Sequence, residues 1–255
     1  MASIRDDTLL MQPQSPAPIL QPVSASLPAE TRIYAVGDIH GRADLLADII
    51  ARIDDDLQRR PIRYATEVYL GDYIDRGPDS SSVLDMLAVR MVRNDAICLR
   101  GNHEAMLEAF LRDPATLPDW LPLGARQTLA SYGIASVTAE QSAVTVHHHF
   151  TSNFPPAHQV FLQCLRNSFC CGDFFFVHAG IRPSVPIERQ QERDMLWIRK
   201  EFLNATQDHG KYIVHGHTPV PHADIRSNRV NIDTGAWRSG VLTCVAIEGD
   251  TLLIL

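Results

Sequence analysis

The sequence predicts an α/β fold in which short buried strands alternate with amphipathic helices. Three apolar runs, "RIYAV", "EVYL" and "AICL", are each followed by a polar turn and then by a helical pattern. Two further apolar runs, "FFFV" and "KYIV", each end in a turn that contains histidine. This order of elements is typical of a largely parallel sheet covered by helices. A length of 255 residues suits one large domain with a sizeable core.

The three helices after the first three runs are predicted by the spacing of their apolar residues. The side chains expected to be buried are Leu45, Leu46, Ile49, Ile50, Ile53 and Leu57 in the first helix, Val83, Leu84, Leu87 and Met91 in the second, and Met106, Leu107, Phe110 and Leu111 in the third. Pro78 and either Asp79 or Ser80 mark the start of the second helix. The third helix is expected to stop near Pro114.

Residues 1–30 differ in composition from the rest of the chain. The stretch Gln12–Pro28 is mostly Pro, Gln, Ser and Ala, and it has too few large apolar groups to offset the entropy lost on ordering. We therefore predict a flexible N-terminal tail over residues 1–30 and a catalytic domain over residues 31–255.

Composition excludes several classes of partner. A formal net charge of -7 argues against a nucleic-acid partner, since such binding needs clustered Lys and Arg, and an anionic substrate would need local positive charge. The five cysteines lack the spacing of a zinc ribbon and the density of a disulfide scaffold. Asp6 and Asp7 interrupt any signal-peptide pattern, and no apolar run is long enough to span a bilayer. We predict a cytoplasmic protein with no membrane partner.

The region from about Asp113 to Cys171 breaks the strand-turn-helix rhythm. It contains Pro-rich turns, a polar run and one predicted helix, Ala157–Asn167. We interpret residues 113–171 as a helical and loop insertion that covers one edge of the site and adds little to catalysis. His147, His148 and His149 could bind a metal, but consecutive side chains diverge, so a solvated loop is predicted for them.

The turns after the five apolar runs contain the candidate site residues. They contain Asp38 and His40, Asp72, Asn102 and His103, His178, and His217. One such residue would commonly be a turn or capping residue. Five turns in succession predict a shared site, because ligands bind beyond the carboxyl ends of the strands in an open α/β sheet.

The motifs "GDIHG", "GDYIDRG", "GNHE", "HAG" and "GHT" resemble those of the calcineurin-like metallophosphoesterases, and more narrowly the phosphoprotein phosphatases of bacterial and phage type. The resemblance extends from Thr31 to Leu255. It implies a four-layer αββα sandwich of two mixed β-sheets flanked by helices, with two divalent metal ions at the sheet edge. It also implies that Asp72 bridges the metals. The other implied ligands are Asp38 and His40 for the first metal, and Asn102, His178 and His217 for the second.

Mixed carboxylate, amide and imidazole ligands favour Mn, with Fe or Zn as alternatives, over calcium. The same resemblance gives roles to the residues beside the ligands. Arg76 would hold the phosphate oxygens through its planar guanidinium. His103 would protonate the leaving oxygen, and Asp75 would orient that imidazole. Arg199, in the stretch "MLWIR", is the candidate for a second phosphate-binding arginine, with a surface salt bridge as the alternative.

Two residues near the last motifs are left with open interpretations. Asp233, in "NIDTGAW", either lines the site or belongs to a structural turn. His215 lies two residues before His217 on a predicted strand, so both side chains are expected on the same side, with His215 behind the ligands.

The predicted function is a phosphomonoesterase that removes phosphate from phosphorylated protein side chains, Ser/Thr or Tyr, by direct attack of metal-bound hydroxide. The first alternative is a diadenosine tetraphosphate hydrolase. In the family pattern those enzymes lack the aspartate of "DRG" and tend to have Asp after "GNH", so Asp75 and Glu104 favour the phosphatase. Pro219 stands where many wider relatives have a second histidine, and in the family pattern this argues against the nucleases and cyclic nucleotide esterases of the superfamily. The alternative of another class is a catalytically inactive docking protein. In such a protein, a metal ligand or the proton-donating residue should be missing.

Overall fold

A computed structural model describes residues 20–134 and 142–255 of the chain. The strands are β1 Leu20–Pro22, β2 Thr31–Val36, β3 Tyr64–Tyr69, β4 Ile97–Cys98, β5 Ser168–Cys171, β6 Phe174–Val177, β7 Tyr212–His215, β8 Asp224–Ile225, β9 Arg229–Asn231, β10 Cys244–Glu248 and β11 Thr251–Ile254. The helices are α1 Ala43–Arg59, α2 Ser80–Asn94, α3 Asn102–Arg112, α4 Leu117–Trp120, α5 Ala125–Ser131, α6 Ala143–Asn153, α7 Pro156–Gln163, α8 Glu192–Trp197, α9 Lys200–Leu203 and α10 Ala236–Ser239. Among these helices none is both long and apolar enough to cross a membrane.

The strands form two mixed sheets. The first has the order β1-β11-β10-β2-β3-β4, and the second has the order β5-β6-β7-β9-β8. Strands β2, β3 and β4 are parallel, as are β6, β7 and β9, while the remaining strands, β1, β11, β10, β5 and β8, pair antiparallel with their neighbours. The parallel strands are those whose following turns carry the predicted site residues, so their carboxyl ends converge.

Successive side chains along each strand lie on opposite faces of the sheet, and this places them in different layers of the core. In β2, Ile33 belongs to the core between the two sheets, whereas Tyr34 packs in the core beneath the helices. In β6, Phe174 lies in the core between the sheets and Phe175 in a third core with α8 and α9. Because successive side chains of a strand point to opposite faces, each sheet buries both of its faces. The predicted four-layer αββα sandwich is confirmed.

The first helices form where apolar spacing predicts them. Leu46 and Ile53 of α1 and Leu84 and Leu87 of α2 are fully buried. The N-cap of α2 is Asp79, whose side chain accepts a hydrogen bond from the backbone N–H of Ser82 at 3.1 Å. Helix α3 ends at Arg112, two residues before the proline predicted to stop it.

The predicted flexible tail is wrong for residues 20–30. Strand β1 pairs antiparallel with β11, and the backbone N–H of Leu27 donates to the carbonyl of Gly249 at 2.9 Å. Ala25 and Leu27 are buried in the core between the sheets. A distant strand thus supplies the hydrogen bonds and apolar contacts that the local composition lacks. Residues 1–19 lie outside the described part of the chain.

The inserted region is more helical than predicted, because it contains α4, α5, α6 and α7. His147, His148 and His149 lie in α6 and not in a loop. Val146 and Phe150, one helical turn apart, are buried and anchor α6 to the core. The ring of His147 packs against Phe110, with centroids 5.3 Å apart. Helix α7 ends four residues earlier than predicted.

Candidate metal centre

Two groups of buried side chains meet at the carboxyl ends of the parallel strands. The first contains His40, Asp72 and His103, and the second contains Asp72, His178 and His217. Within each group the potential ligand atoms all lie within 4.8 Å of one another. Since Asp72 belongs to both groups, its two oxygens can serve two cations at once.

The backbone around these groups is strained. Within the described residues, eight non-glycine residues have positive φ, and five of them are predicted site residues: His40 (47°), Asp72 (53°), Asp75 (72°), Arg76 (67°) and His217 (67°). The left-handed conformation costs a non-glycine residue about 1 kcal/mol or more. Such strain concentrates at functional sites, where the surrounding structure holds the backbone in place.

Two glycines allow the turns to approach each other. A Cβ atom on Gly101 would collide with the backbone N of Asp72, and a Cβ on Gly216 would collide with Oδ1 of Asp38. Because any side chain here would push a predicted ligand out of place, these two positions require glycine.

The second group has the donor geometry of a metal site. Nε2 of His178 lies 3.0 Å from Oδ1 of Asn102 and 3.3 Å from Oδ1 of Asp72, and Nδ1 of His217 lies 2.8 Å from Oδ1 of Asn102. Nδ1 of His178 donates to the carbonyl of Leu70 at 2.9 Å, which leaves a lone pair on Nε2. Burial lowers the pKa of His178, so the ring stays neutral. Several lone pairs therefore face one another, and a divalent cation between them would satisfy all of them.

His40 directs its Nε2 toward Asp72 of the first group and toward Nη1 of Arg76, which lies 2.9 Å away. Its Nδ1 donates to the carbonyl of Ile74 at 2.8 Å, and its Nε2 lies 3.6 Å from Oδ2 of Asp72. Burial, and the proximity of His103, lower the pKa of His40 well below its usual value. A neutral imidazole with one nitrogen fixed by a carbonyl is the form that binds metals.

Asp38 was predicted as a ligand of the first metal, whereas the compact group around His40 contains His103 in its place. Asp38 is nonetheless buried beside the second group, where its Oδ2 accepts the backbone N–H of His217 at 3.0 Å. Burial, with the charges of Asp233 and Asp72, raises the pKa of Asp38 well above its usual value. Three buried carboxylates close together are compatible with charge only if a cation compensates them.

His103 and Asp75 form a buried pair beside the first group. Nδ1 of His103 lies 2.6 Å from Oδ2 of Asp75, and both side chains are fully buried. Burial lowers the pKa of His103, but the carboxylates of Asp72 and Asp75 more than offset this effect, so the pKa is raised. The pair therefore fixes the orientation of the imidazole next to the two ligand groups.

Two residues that the sequence did not indicate hold Asp75 in place. Nε1 of Trp120 donates to its Oδ2 at 2.8 Å, and Oγ1 of Thr128 donates to its Oδ1 at 2.5 Å. Both residues belong to the inserted region. The inserted region therefore contacts the candidate site directly, because it fixes the carboxylate predicted to orient His103.

The two predicted phosphate-binding arginines lie on either side of the site. Arg76 places Nη1 2.9 Å from Nε2 of His40 and Nη2 3.0 Å from Nε2 of His103, with Cζ 5.5 Å from the ring centroid of Trp237. Arg199 is exposed, and its Nη1 lies 3.5 Å from Oγ1 of Thr218, next to His217 in the chain. In residues 20–134 and 142–255 no carboxylate forms an ion pair with Arg199, which disfavours the salt-bridge alternative.

The two residues left with open interpretations, Asp233 and His215, have different surroundings. Asp233 is buried near the site: burial and the charge of Asp72 raise its pKa to about 6, although its Oδ1 also accepts the backbone N–H of Gly235 at 2.8 Å. His215 contacts Arg229 and the ring of Phe202, in the core that contains α9. His215 belongs to neither ligand group.

Glu104 is a third residue whose structural role the sequence did not indicate. Its carboxylate accepts three backbone N–H groups, from Gly101 at 2.9 Å, Asp72 at 2.9 Å and Tyr73 at 2.8 Å. It thereby joins the turn after β3 to the start of α3. Without Glu104, the two segments would lose two of the hydrogen bonds between them and keep the one from the backbone N–H of His103 to Oδ1 of Asp72.

We expect Glu104→Ala to lower the free energy of unfolding by about 3 kcal/mol or more, because three buried N–H donors would lose their acceptor. Urea denaturation followed by circular dichroism measures this loss. The matched control is Glu108→Ala, one turn further along α3, where the carboxylate pairs with Arg100 near the surface. Equal losses in the two variants would contradict the joining role of Glu104.

Comparisons with known proteins agree on one family. A family model described as calcineurin-like phosphoesterase matches residues 31–238. The serine/threonine-protein phosphatase 1 of Salmonella typhimurium is 29% identical over 230 residues, which cover 85% of this chain and 92% of that protein. The bis(5'-nucleosyl)-tetraphosphatase PrpE [asymmetrical] of Halalkalibacterium halodurans is 25% identical over 229 residues, covering 82% and 87%.

Solved structures share the fold. The crystal structure of a putative diadenosine tetraphosphatase superposes with a TM-score of 0.62 at 19% identity, covering 92% of this chain and 95% of that one. A cold-active protein tyrosine phosphatase gives a TM-score of 0.53 at 14% identity, with coverage of 88% and 77%. At these identities the likeness concerns the arrangement of sheets and helices.

Proposed function

Because this chain belongs to the calcineurin-like phosphoesterases, we propose that it is a phosphomonoesterase acting on phosphorylated protein side chains, Ser/Thr or Tyr. The observation that carries the proposal is the buried pair of His103 and Asp75, with Nδ1 of the imidazole 2.6 Å from the carboxylate. Such a pair supplies a positioned proton donor next to the candidate metal ligands.

We assign the metal ligands by motif and by proximity. Asp38 and His40 would hold one cation, Asn102, His178 and His217 the other, and Asp72 both. The donor set fits Mn, with Fe or Zn as alternatives. Two such cations supply Lewis-acid polarisation of the phosphate and lower the pKa of a water for attack on phosphorus.

Phosphorylated side chains and dinucleoside polyphosphates differ in how much their hydrolysis gains from a proton donor. A serine or threonine side chain leaves as a strongly basic alkoxide, so protonation of the leaving oxygen lowers the barrier considerably. A nucleotide that leaves from a polyphosphate is far less basic and gains little from an acid. His103, with its pKa raised by Asp72 and Asp75 in spite of burial, fits the first case. Trp120 and Thr128 hold Asp75, so the imidazole keeps one orientation.

Arg76 and Arg199 are proposed to bind the non-bridging phosphate oxygens. Arg76 reaches over the first ligand group, within 3.0 Å of both His40 and His103. Arg199 lies beside the second group, and its charge contributes to lowering the pKa of His178 and His217. The two guanidinium groups thus approach a phosphate at this centre from two directions.

A dinucleoside polyphosphate is the second candidate substrate. It is supported by the curated relatives named bis(5'-nucleosyl)-tetraphosphatase, which match this chain over most of its length. An inactive docking protein receives no such support, because all six assigned ligands and His103 are present in this chain.

Steady-state kinetics on three substrates test the choice between a phosphorylated side chain and a dinucleoside polyphosphate. Purified protein with Mn²⁺ is given a phosphothreonine peptide, a phosphotyrosine peptide and diadenosine tetraphosphate under identical conditions. We expect the larger kcat/KM with a phosphopeptide. A larger kcat/KM with diadenosine tetraphosphate would replace the proposed substrate by the second candidate.

A further inference from the structure

An open groove of about 750 Å³ begins beside the second ligand group. Trp197 and Arg199 both line it. The ring centroid of Trp197 lies 6.3 Å from that of His217, and Arg199 approaches Thr218, the next residue in the chain. The groove therefore continues directly from the candidate metal centre, and a substrate held there can extend into it.

The two acidic residues of the groove pair with one arginine. Its lining includes Asp194 and Glu201. Nη2 of Arg182 lies 2.6 Å from Oδ1 of Asp194, and Nη1 of Arg182 lies 2.9 Å from Oε1 of Glu201. One guanidinium thus pairs with both carboxylates and offsets one of the two negative charges that the groove itself supplies.

Three further cations of the groove have no such partner. Arg193, Arg199 and Lys200 are exposed, and across the described ranges none of them forms an ion pair with a carboxylate. On a chain with a formal net charge of -7, three unpaired cations around one groove create a local positive potential. Trp197, with 41% of its side chain exposed, adds a flat apolar surface beside them.

We propose that this groove, defined by Arg193, Trp197, Arg199 and Lys200, binds the part of the substrate beyond the transferred phosphate, and that this part is anionic. The inference rests on the proposed phosphoesterase function and adds a charge preference to it. Acidic side chains flanking a phosphorylated residue carry such charge, and so do the further phosphates of a polyphosphate. Both would meet the same cations.

The test removes charge where no catalytic role is assigned. In the double variant Arg193→Gln/Lys200→Gln, Arg199 is retained because it is assigned to the transferred phosphate. The matched control is Arg63→Gln/Arg93→Gln, which removes the same charge elsewhere. Arg63 precedes β3, at the opposite end of that strand from the site, and Arg93 lies near the end of α2, about 20 Å along the helix from Ser80.

The probes are a phosphothreonine peptide flanked by glutamates, the same peptide flanked by glutamines, inorganic triphosphate, and para-nitrophenyl phosphate. Turnover gives kcat and KM, and fluorescence anisotropy of labelled peptides gives affinity independently of turnover. We expect the groove variant to raise KM and Kd for the glutamate-flanked peptide about tenfold, with an effect that shrinks in high salt. The glutamine-flanked peptide, para-nitrophenyl phosphate and the control variant should show no such change.

The remaining outcomes separate the two proposals. A loss confined to triphosphate would support the groove and identify polyphosphate as the source of the charge. Equal behaviour of the groove and control variants with every probe would overturn the groove proposal. If the unaltered protein hydrolyses neither para-nitrophenyl phosphate nor either peptide, the proposed function fails, and the anisotropy comparison still decides whether the groove binds anions.

Discussion

The variant His103→Asn is expected to lower kcat for a phosphothreonine peptide by about two to four decades, because the alkoxide would leave without a proton donor. Asparagine approximates the shape of the imidazole but cannot supply a proton near neutral pH. The loss should be smaller with para-nitrophenyl phosphate, whose leaving group is much less basic. Steady-state kinetics on both substrates, with kcat and KM separated, measure the effect.

A variant that only disturbed the structure would lower kcat equally with both leaving groups. His158→Asn is the matched control, since His158 is also fully buried and also contacts a carboxylate, with Nε2 3.0 Å from Oδ1 of Asp85. It lies in the inserted region and outside both ligand groups. We expect this control to retain kcat on both substrates. Unchanged turnover in His103→Asn, or an equal loss with both leaving groups, would contradict the role of His103 as acid.

The variant Asp72→Asn is expected to lower kcat/KM by at least about a hundredfold, because loss of a ligand should exceed the cost of losing an outer-sphere partner. Asp72 is the one side chain common to both ligand groups, and its charge faces four imidazoles. An amide supplies a single oxygen donor and no charge. Activity and bound metal should therefore fall together.

Asp95→Asn is a close control for this change. Asp95 has nearly the same left-handed backbone as Asp72, with φ of 52° against 53°, but it is exposed at the end of α2. Asparagine tolerates this conformation as well as aspartate does. Retained metal and activity in Asp95→Asn, with both lost in Asp72→Asn, would assign the effect to the site. Full metal content in Asp72→Asn would contradict the bridging position.

The strands, the first helices and the convergence of the site could be predicted because each depends on local sequence. Apolar runs and helical spacing report burial directly, and the turns after parallel strands meet at one edge whatever the loops contain. Asp72 and His178 are far apart in the chain but both follow such strands. Their proximity needed no knowledge of the rest of the fold.

Contacts between distant segments could not be predicted in this way. Trp120 and Thr128 reach Asp75 from positions 45 and 53 residues along the chain, and no local pattern marks them. Leu27 is buried only because β10 and β11 lie beside it. His215 contacts Arg229 and Phe202, and sequence alternation does not reveal either partner.

The most direct test is the metal content of active protein. Six side chains from five turns should hold a pair of divalent ions. After removal of metal with a chelator and reconstitution with Mn²⁺, elemental analysis should find two ions per chain, and activity should return in step with occupancy. Full phosphatase activity in the chelated protein, with no divalent metal bound, would contradict this assignment.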